Sequence, residues 1–437
     1  MNIVLKYGKK GLALDLPSDI EVTLVQKKFM PSLKDPKSSI KAAFANPVHS
    51  KTLREEARGC RNACILICDI TRPVPNGHIL PPLIKELLDA GMSPTSITII
   101  VATGLHRPSE GAELRELVGS DWVSNMIPIA NHFARNDEDH EYIGTTSGGI
   151  EARLDRRFLT ADLRIAIGLV EPHFMAGYSG GRKIIAPGVA HERTIRSFHC
   201  ARILEHCKSA SCVIDGNPLH TAQMEIVRMV GKCLAINTVI DEDKQISFVN
   251  FGEIEQSHLE AISFVKPYAI IPVHRRFKTV VTSSAGYPLD KTYYQTVKGM
   301  VGAVDILEPG GNLIIVSACS EGVGSPEYAE AQVCLVNQGP EKFLNEILEK
   351  RYAAVDEWQT EMQVKAMKRA NIFLYTEGLT KEQQALTGVS LITSPVASIM
   401  DSVKAHGDRR IAVIPEGPYV VPMFMPETQS YNIGHQR

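Results

Sequence analysis

The sequence predicts an α/β fold, with two α/β domains built on mainly parallel sheets. Short apolar runs recur along the chain and end abruptly in small, polar or proline-containing sequence, and helical patterns separate them. At 437 residues the chain also exceeds the size at which one hydrophobic core usually stops growing, which predicts two domains.

The first run covers residues 63–68 and ends in Asp69-Ile70-Thr71-Arg72-Pro73. An apolar-periodic helix over about 79–90 leads to the second run, 96–101, which ends in Thr103-Gly104-Leu105-His106-Arg107-Pro108. The third run, 164–170, ends in Glu171-Pro172-His173. Ligands of open α/β sheets bind outside the carboxyl ends of the strands, so these three segments are expected to converge on one site. The proline-bearing and then basic stretch from Lys266 to Arg276 reads as a crossing between domains. Beyond it a second series has strands expected over 279–282, 312–316, 372–375 and 411–414, with long helices over about 340–351 and 361–370. The expected domains are 1–268 and 270–405, with 407–437 packing back on the first.

Composition narrows the function. Hydrophobic residues make up 44%, charged residues 22% and aromatics 6%, which argues against disorder. Forty-seven basic against forty-nine acidic side chains leave a formal charge of -2, no field for nucleic acid or anionic membrane. A small-molecule partner is expected. Met1-Asn2-Ile3-Val4-Leu5-Lys6-Tyr7-Gly8 lacks the pattern of a secretory signal, so a cytoplasmic protein is expected. Nine scattered cysteines suit reduced thiols better than a disulfide framework. Cys60, Cys64 and Cys68 recur every four residues, but a strand there would separate the sulfurs and argues against a metal site.

The stretch Glu171-Pro172-His173-Phe174-Met175-Ala176-Gly177-Tyr178-Ser179-Gly180-Gly181-Arg182-Lys183 brings a histidine, a glycine-rich turn and a lysine together. It departs from the triphosphate-binding loop, because Arg182 precedes Lys183 and Ile184 follows it. A tight turn and an anion cradle both fit the glycines. His106 and His173, each just past an expected strand, suggest a paired acid/base arrangement on two neighbouring strands. Arg72 could clamp a carboxylate through two parallel hydrogen bonds, and Asp69 fits either that site or a turn cap. His199 falls on an expected helix, where an imidazole is usually structural but can ligate nickel, copper or zinc. Gln295 and Lys298, three apart at the opening of a helix, share a face that is either solvated or functional. Trp358 reads as a core or interface anchor.

Taken together, these residues resemble the nickel-pincer-dependent lactate racemase family. The resemblance rests on Asp69-Ile70-Thr71-Arg72-Pro73, Gly104-Leu105-His106-Arg107-Pro108, Glu171-Pro172-His173-Phe174, Gly177 through Lys183, Pro187-Gly188 and His199. It continues through Asp215-Gly216-Asn217-Pro218-Leu219-His220, Tyr294-Gln295 with Lys298, Cys319-Ser320-Glu321-Gly322-Val323-Gly324-Ser325, and Trp358. It runs through both expected domains, without departure at any of these positions.

The resemblance implies racemisation or epimerisation of a 2-hydroxy acid, with the active site in the interdomain cleft. The implied cofactor is nickel(II) pyridinium-3,5-bisthiocarboxylic acid mononucleotide, a nickel-pincer nucleotide covalently attached to Lys183 and made and installed by separate enzymes. By the same resemblance His199 ligates nickel, and Asp69, Ile70, Thr71, Arg72, Ser179, Gly180, Lys183 and His199 contact the cofactor. His106 and His173 transfer protons, while Arg72, Tyr294, Gln295, Lys298 and Trp358 bind substrate. The implied reaction is proton-coupled hydride transfer through a planar 2-keto acid, with a base for each enantiomer. The matched positions bind the carboxylate and hydroxyl that all 2-hydroxy acids share, so malate, an aryl-lactate or a sugar acid stand beside lactate. A non-catalytic nickel-cofactor-binding protein is the alternative from another class.

Overall fold

The computed structural model describes residues 1–426. The chain divides into two compact units, one of residues 29–199 and 206–266, the other of residues 1–28, 200–205 and 267 onward.

The unit containing residue 29 is built on a six-stranded sheet in the order Ile246–Glu253, Leu234–Ile240, Leu163–Leu169, Ala63–Cys68, Ile97–Ala102, Ile129–Asn131. Only the first pair is antiparallel. Ala63–Cys68 is buried at every position and Leu163–Leu169 at all but one. Strands of a parallel sheet are covered on both faces and therefore read as unbroken apolar runs rather than as alternation. The expected helix over 79–90 is Asn76–Asp89, which buries Ile79, Leu80, Leu83, Ile84 and Leu87 along one stripe.

One expectation is corrected here. The strands that precede His106 and His173 are not neighbours, because Ala63–Cys68 pairs with both and lies between them. The segment after that strand, Asp69 to Arg72, is thus flanked by the other two. All three strands run parallel, which sends the three loops to one end of the sheet.

The other unit carries a fully parallel six-stranded sheet in the order Ser390–Ile392, Ala370–Tyr375, Leu307–Val316, Phe277–Ser283, Arg410–Ile414, Glu21–Leu24. Its last strand comes from the N-terminus, so residues 1–28 belong with this unit rather than with the rest of 1–268. Leu5, Leu14 and Leu16 join a core cluster with Val281, Ile314 and Val413, which is the physical reason for the attachment. Residues 407–414 likewise belong here through Arg410–Ile414. Of the expected segment 407–437, residues 427–437 lie outside the described residues. The stretch at Lys266-Pro267-Tyr268 is helical, the end of Ile254–Ala269. Pro267 falls in its last turn, where its missing N–H removes one bond to the carbonyl four residues back while the helix N-terminal to it keeps its ladder. No helix among the described residues is long and apolar enough to cross a membrane.

Candidate active site

Where Ala63–Cys68 ends, Asp69 uses its two carboxylate oxygens differently. Oδ1 accepts from the Thr71 N–H (3.2 Å) and the Thr71 hydroxyl (2.6 Å), closing the turn. Oδ2 lies 2.5 Å from His106 Nδ1. Asp69 is therefore both a turn cap and the partner of an imidazole. Burial alone would raise its carboxyl, but the hydrogen bonds from His106 and Thr71 and the charge of Arg72 outweigh that and hold it below the usual range. His106 itself keeps 62% of its side chain exposed against 8% for Asp69, so the ring is oriented from behind and open in front.

Arg72 Nη1 is ion-paired with Glu171 Oε1, and both side chains are about one-third exposed, at 31% and 29%. The Glu171 backbone is fixed in turn: its N–H donates to Ser179 Oγ (3.1 Å), and its carbonyl accepts from the Ser179 N–H (2.9 Å). Ser179 Oγ also donates to Leu169 O (2.7 Å), so this hydroxyl serves the chain's own backbone.

Pro172–His173 pairs antiparallel with Gly177–Tyr178, forming a short hairpin. Inside it, His173 Nδ1 accepts from the N–H groups of Met175 (3.2 Å) and Ala176 (3.1 Å), and Nε2 lies 2.8 Å from Lys183 Nζ. The glycines make this possible by close packing. Gly177 has φ +77°, and a Cβ there would stand 2.2 Å from Val213 O; at Gly181, φ +49°, it would stand 2.6 Å from His258 Cγ. The tight-turn reading accounts for both glycines. Lys183 rides on a single helical turn, Arg182–Ile185. Arg182 points the other way: fully buried, it donates to Tyr178 O (3.0 Å) and Ala176 O (2.6 Å) and pins the hairpin.

His199 caps the C-terminus of the helix Glu192–Phe198. Its Nδ1–H donates to Ile195 O (2.9 Å), which fixes the tautomer and makes Nε2 the lone-pair nitrogen. Burial, helped by the charge of Lys183, pushes its pKa down to about 3 and keeps the imidazole neutral. A neutral ring whose other nitrogen is held by a carbonyl is the form a metal requires. The donor set therefore fits a metal-bearing group held at Lys183 and His199.

The remaining expected residues belong to the other unit. Tyr294, Gln295 and Lys298 open the helix Tyr293–Ala303, and Trp358 stands at the start of Glu357–Arg369. Tyr294 O accepts from Gln359 Nε2 (2.6 Å), its ring packs edge-on against Tyr328 at 5.0 Å, and its hydroxyl shares a hydrogen bond with Trp358. Gln295 Oε1 is buried with no hydrogen-bond partner among the described residues. The structure thus brings Asp69, Arg72, His106, His173, Lys183 and His199 into one unit and Tyr294, Gln295, Lys298 and Trp358 into the other.

Sequence reasoning gave Glu171 and Arg182 no role, although both stand in the stretch that raised the question. Glu171 carried a signal, an acid directly after a strand and two residues before His173. Arg182 carried none, since an arginine in a polar turn reads as exposed.

Comparison with known proteins also divides the chain in two. Residues 7–211 match the model of the lactate racemase N-terminal domain, and residues 274–421 that of the lactate racemase C-terminal domain. The chain is 30% identical over 430 residues to a lactate racemase of Thermoanaerobacterium thermosaccharolyticum, spanning 96% of this chain and 99% of that one. It is 29% identical over 388 residues to one from Lactiplantibacillus plantarum, 88% and 90%. The solved lactate racemase apoprotein from T. thermosaccharolyticum superposes with a TM-score of 0.89, at 30% identity, over 97% of this chain and all of that one. A Thermotoga maritima protein at 15% identity and TM-score 0.68 shares the fold.

Proposed function

Since the chain belongs to the lactate racemase family, a family of isomerases, we propose that it interconverts the enantiomers of a 2-hydroxy acid, with lactate as the first substrate to test. The observation that carries this reading is the joint presence, within one unit, of a lysine against an imidazole, a buried neutral histidine, an arginine ion-paired with Glu171 and an Asp–His pair.

Lys183 would hold the nickel-pincer nucleotide covalently, with His199 Nε2 as the protein ligand to nickel. When bound, that group supplies a centre that accepts and returns a hydride. The chain's own residues do the rest. Arg72 binds the substrate carboxylate, its guanidinium plane held by the Nη1 contact with Glu171. His106 and His173 handle the hydroxyl proton while C2 becomes planar, as a 2-keto acid that can be rebuilt from either face. Tyr294, Gln295, Lys298 and Trp358 are proposed as further substrate-binding residues on the strength of family membership. Expression beside the enzymes that make and install the cofactor is part of the proposal.

The test is intact-protein mass and nickel content of protein produced with that supply, followed by polarimetry on single-enantiomer 2-hydroxy acids, lactate, malate and aryl-lactates among them. A mass adduct lost in Lys183→Ala, one nickel per chain and decay of optical rotation are expected. No adduct and no nickel despite a working supply would overturn the reading.

A further inference from the structure

The sheet of the unit that carries Tyr294, Gln295 and Lys298 has a topological switch point of its own. From Phe277–Ser283 the chain steps outward through Leu307–Val316, Ala370–Tyr375 and Ser390–Ile392, then returns to the opposite side at Arg410–Ile414. Open α/β sheets bind ligands at such a reversal, beyond the carboxyl ends of the two strands. Here the chain's own N-terminus bridges those ends. The Lys6 N–H donates to Pro415 O (2.9 Å), after one strand, and the Tyr287 N–H donates to Gly8 O (2.9 Å), after the other. A Cβ at Gly286, φ +68°, would stand 3.1 Å from Gly8 O, so the close approach needs a glycine there.

A single carboxylate carries this contact further into the unit. Asp290 is 1% exposed, and its Oδ2 accepts from the Gly8 N–H (2.6 Å) and from the Ala318 N–H (3.2 Å). Its carbonyl accepts from the Cys319 N–H (2.8 Å), while the Lys291 carbonyl accepts from the Glu321 N–H (2.7 Å) and the Lys291 ammonium pairs with Glu321 Oε1 (2.5 Å). Cys319 is left-handed at φ +48° although it bears a side chain, a conformation that persists where the surroundings over-determine it.

The loop held in this way supplies two carbonyls to the next element. Gly322 O accepts from the Tyr293 N–H (3.0 Å) and Val323 O from the Tyr294 N–H (2.9 Å). Thr292 gives the helix Tyr293–Ala303 no side-chain cap, so these bonds satisfy amides that a helix start leaves unpaired. Gln295 and Lys298 stand on the first two turns of that helix, and Gln295 Oε1 is buried with no partner among the described residues.

We propose that Asp290 is a positioning residue for substrate binding: it transmits the seating of the N-terminal turn, through residues 317–324, to the helix opening that presents Tyr294, Gln295 and Lys298. This rests on the substrate-binding role proposed above for those three residues. Removing Oδ2 deprives the Gly8 and Ala318 N–H groups of their acceptor, and the loop that bears Gly322 O and Val323 O loses its anchor at its start.

The test compares Asp290→Ala with Asp290→Asn, which keeps one oxygen for both N–H groups. In the full-length apoprotein, hydrogen exchange over residues 293–298, read by mass spectrometry, should quicken about 10-fold or more in Asp290→Ala and return toward wild type in Asp290→Asn, with residues 63–68 of the other unit unchanged. In cofactor-loaded enzyme, Asp290→Ala should raise KM for both enantiomers about 10-fold with kcat changed less than about threefold, and Asp290→Asn should restore KM. If Asp290→Ala does not fold, Gly8→Ala is the milder probe, because its Cβ meets only Ala318 Cβ at 3.8 Å and the strain lies in φ +47°; it should quicken exchange over the same residues. Unchanged exchange over 293–298 in a folded variant, a fall in kcat at constant KM, or an alanine defect that Asp290→Asn does not relieve would overturn the proposal. Failure of the loaded wild type to racemise any 2-hydroxy acid would count against the function proposed above, and exchange in the apoprotein would still decide whether Asp290 holds the helix opening.

Discussion

At the scale of single residues, the candidate site is built from side chains whose partners fix their orientation. Arg72 illustrates this: one guanidinium nitrogen is committed to Glu171, which leaves the planar fork with a defined orientation. Lysine keeps the charge but not the fork, so Arg72→Lys should raise KM for the 2-hydroxy acid about 10- to 100-fold with a smaller change in kcat, read from initial rates. Buried histidines set the acid limit of stability. His132 is pushed down to about 3 and His258 well below its ordinary value, both chiefly by burial. A folded-state pKa below the unfolded value means the unfolded chain binds the extra proton. Stability is therefore lost as pH falls through about 6.5 and below, by at most about 1.4 kcal/mol per pH unit for each such ring. Urea midpoints at pH 7 and pH 5 should show the lower value at pH 5, and His132→Gln should flatten that slope if it folds.

At the scale of elements, the His173 hairpin and the turn that follows are built by close approach rather than by a long helix. A Cβ at Gly177 would meet Val213 O at 2.2 Å, in a left-handed backbone conformation as well. Gly177→Ala should cost about 2 kcal/mol or more of unfolding free energy in urea, through both strain and clash. The strands and helices themselves were readable. Residues 63–68 were expected as a strand and form Ala63–Cys68, and the helix expected over 340–351 forms Pro340–Leu348. These are long buried runs or clear apolar stripes, where local pattern and burial agree. Glu21–Leu24 escaped notice because it is four residues long, half exposed, and pairs with a strand near the other end of the chain.

At the scale of the whole molecule, the unit that contains most of the second half of the chain is completed by the first 28 residues. Leu5, Leu14 and Leu16 are at most 3% exposed, so deleting residues 1–28 should destabilise that unit by roughly 5 kcal/mol or more. The two tryptophans report separately, Trp358 in that unit and Trp122 in the other. Thermal unfolding of single-tryptophan variants should show the Trp358 transition falling sharply and the Trp122 transition moving less. By itself the sequence determined the α/β class, the strands whose ends carry the candidate site, and the candidate residues Asp69, Arg72, His106, His173, Lys183 and His199, because apolar periodicity and motif order are local properties. Only the tertiary structure decided that Ala63–Cys68 stands between the strands that precede His106 and His173, that the N-terminus completes a sheet with the far end of the chain, and that His199 Nδ1 faces the Ile195 carbonyl while His173 Nδ1 faces two backbone N–H groups. Those are set by pairings and hydrogen bonds between segments distant in sequence, or by a turn whose closure depends on what packs against it, and a linear pattern does not encode the partner.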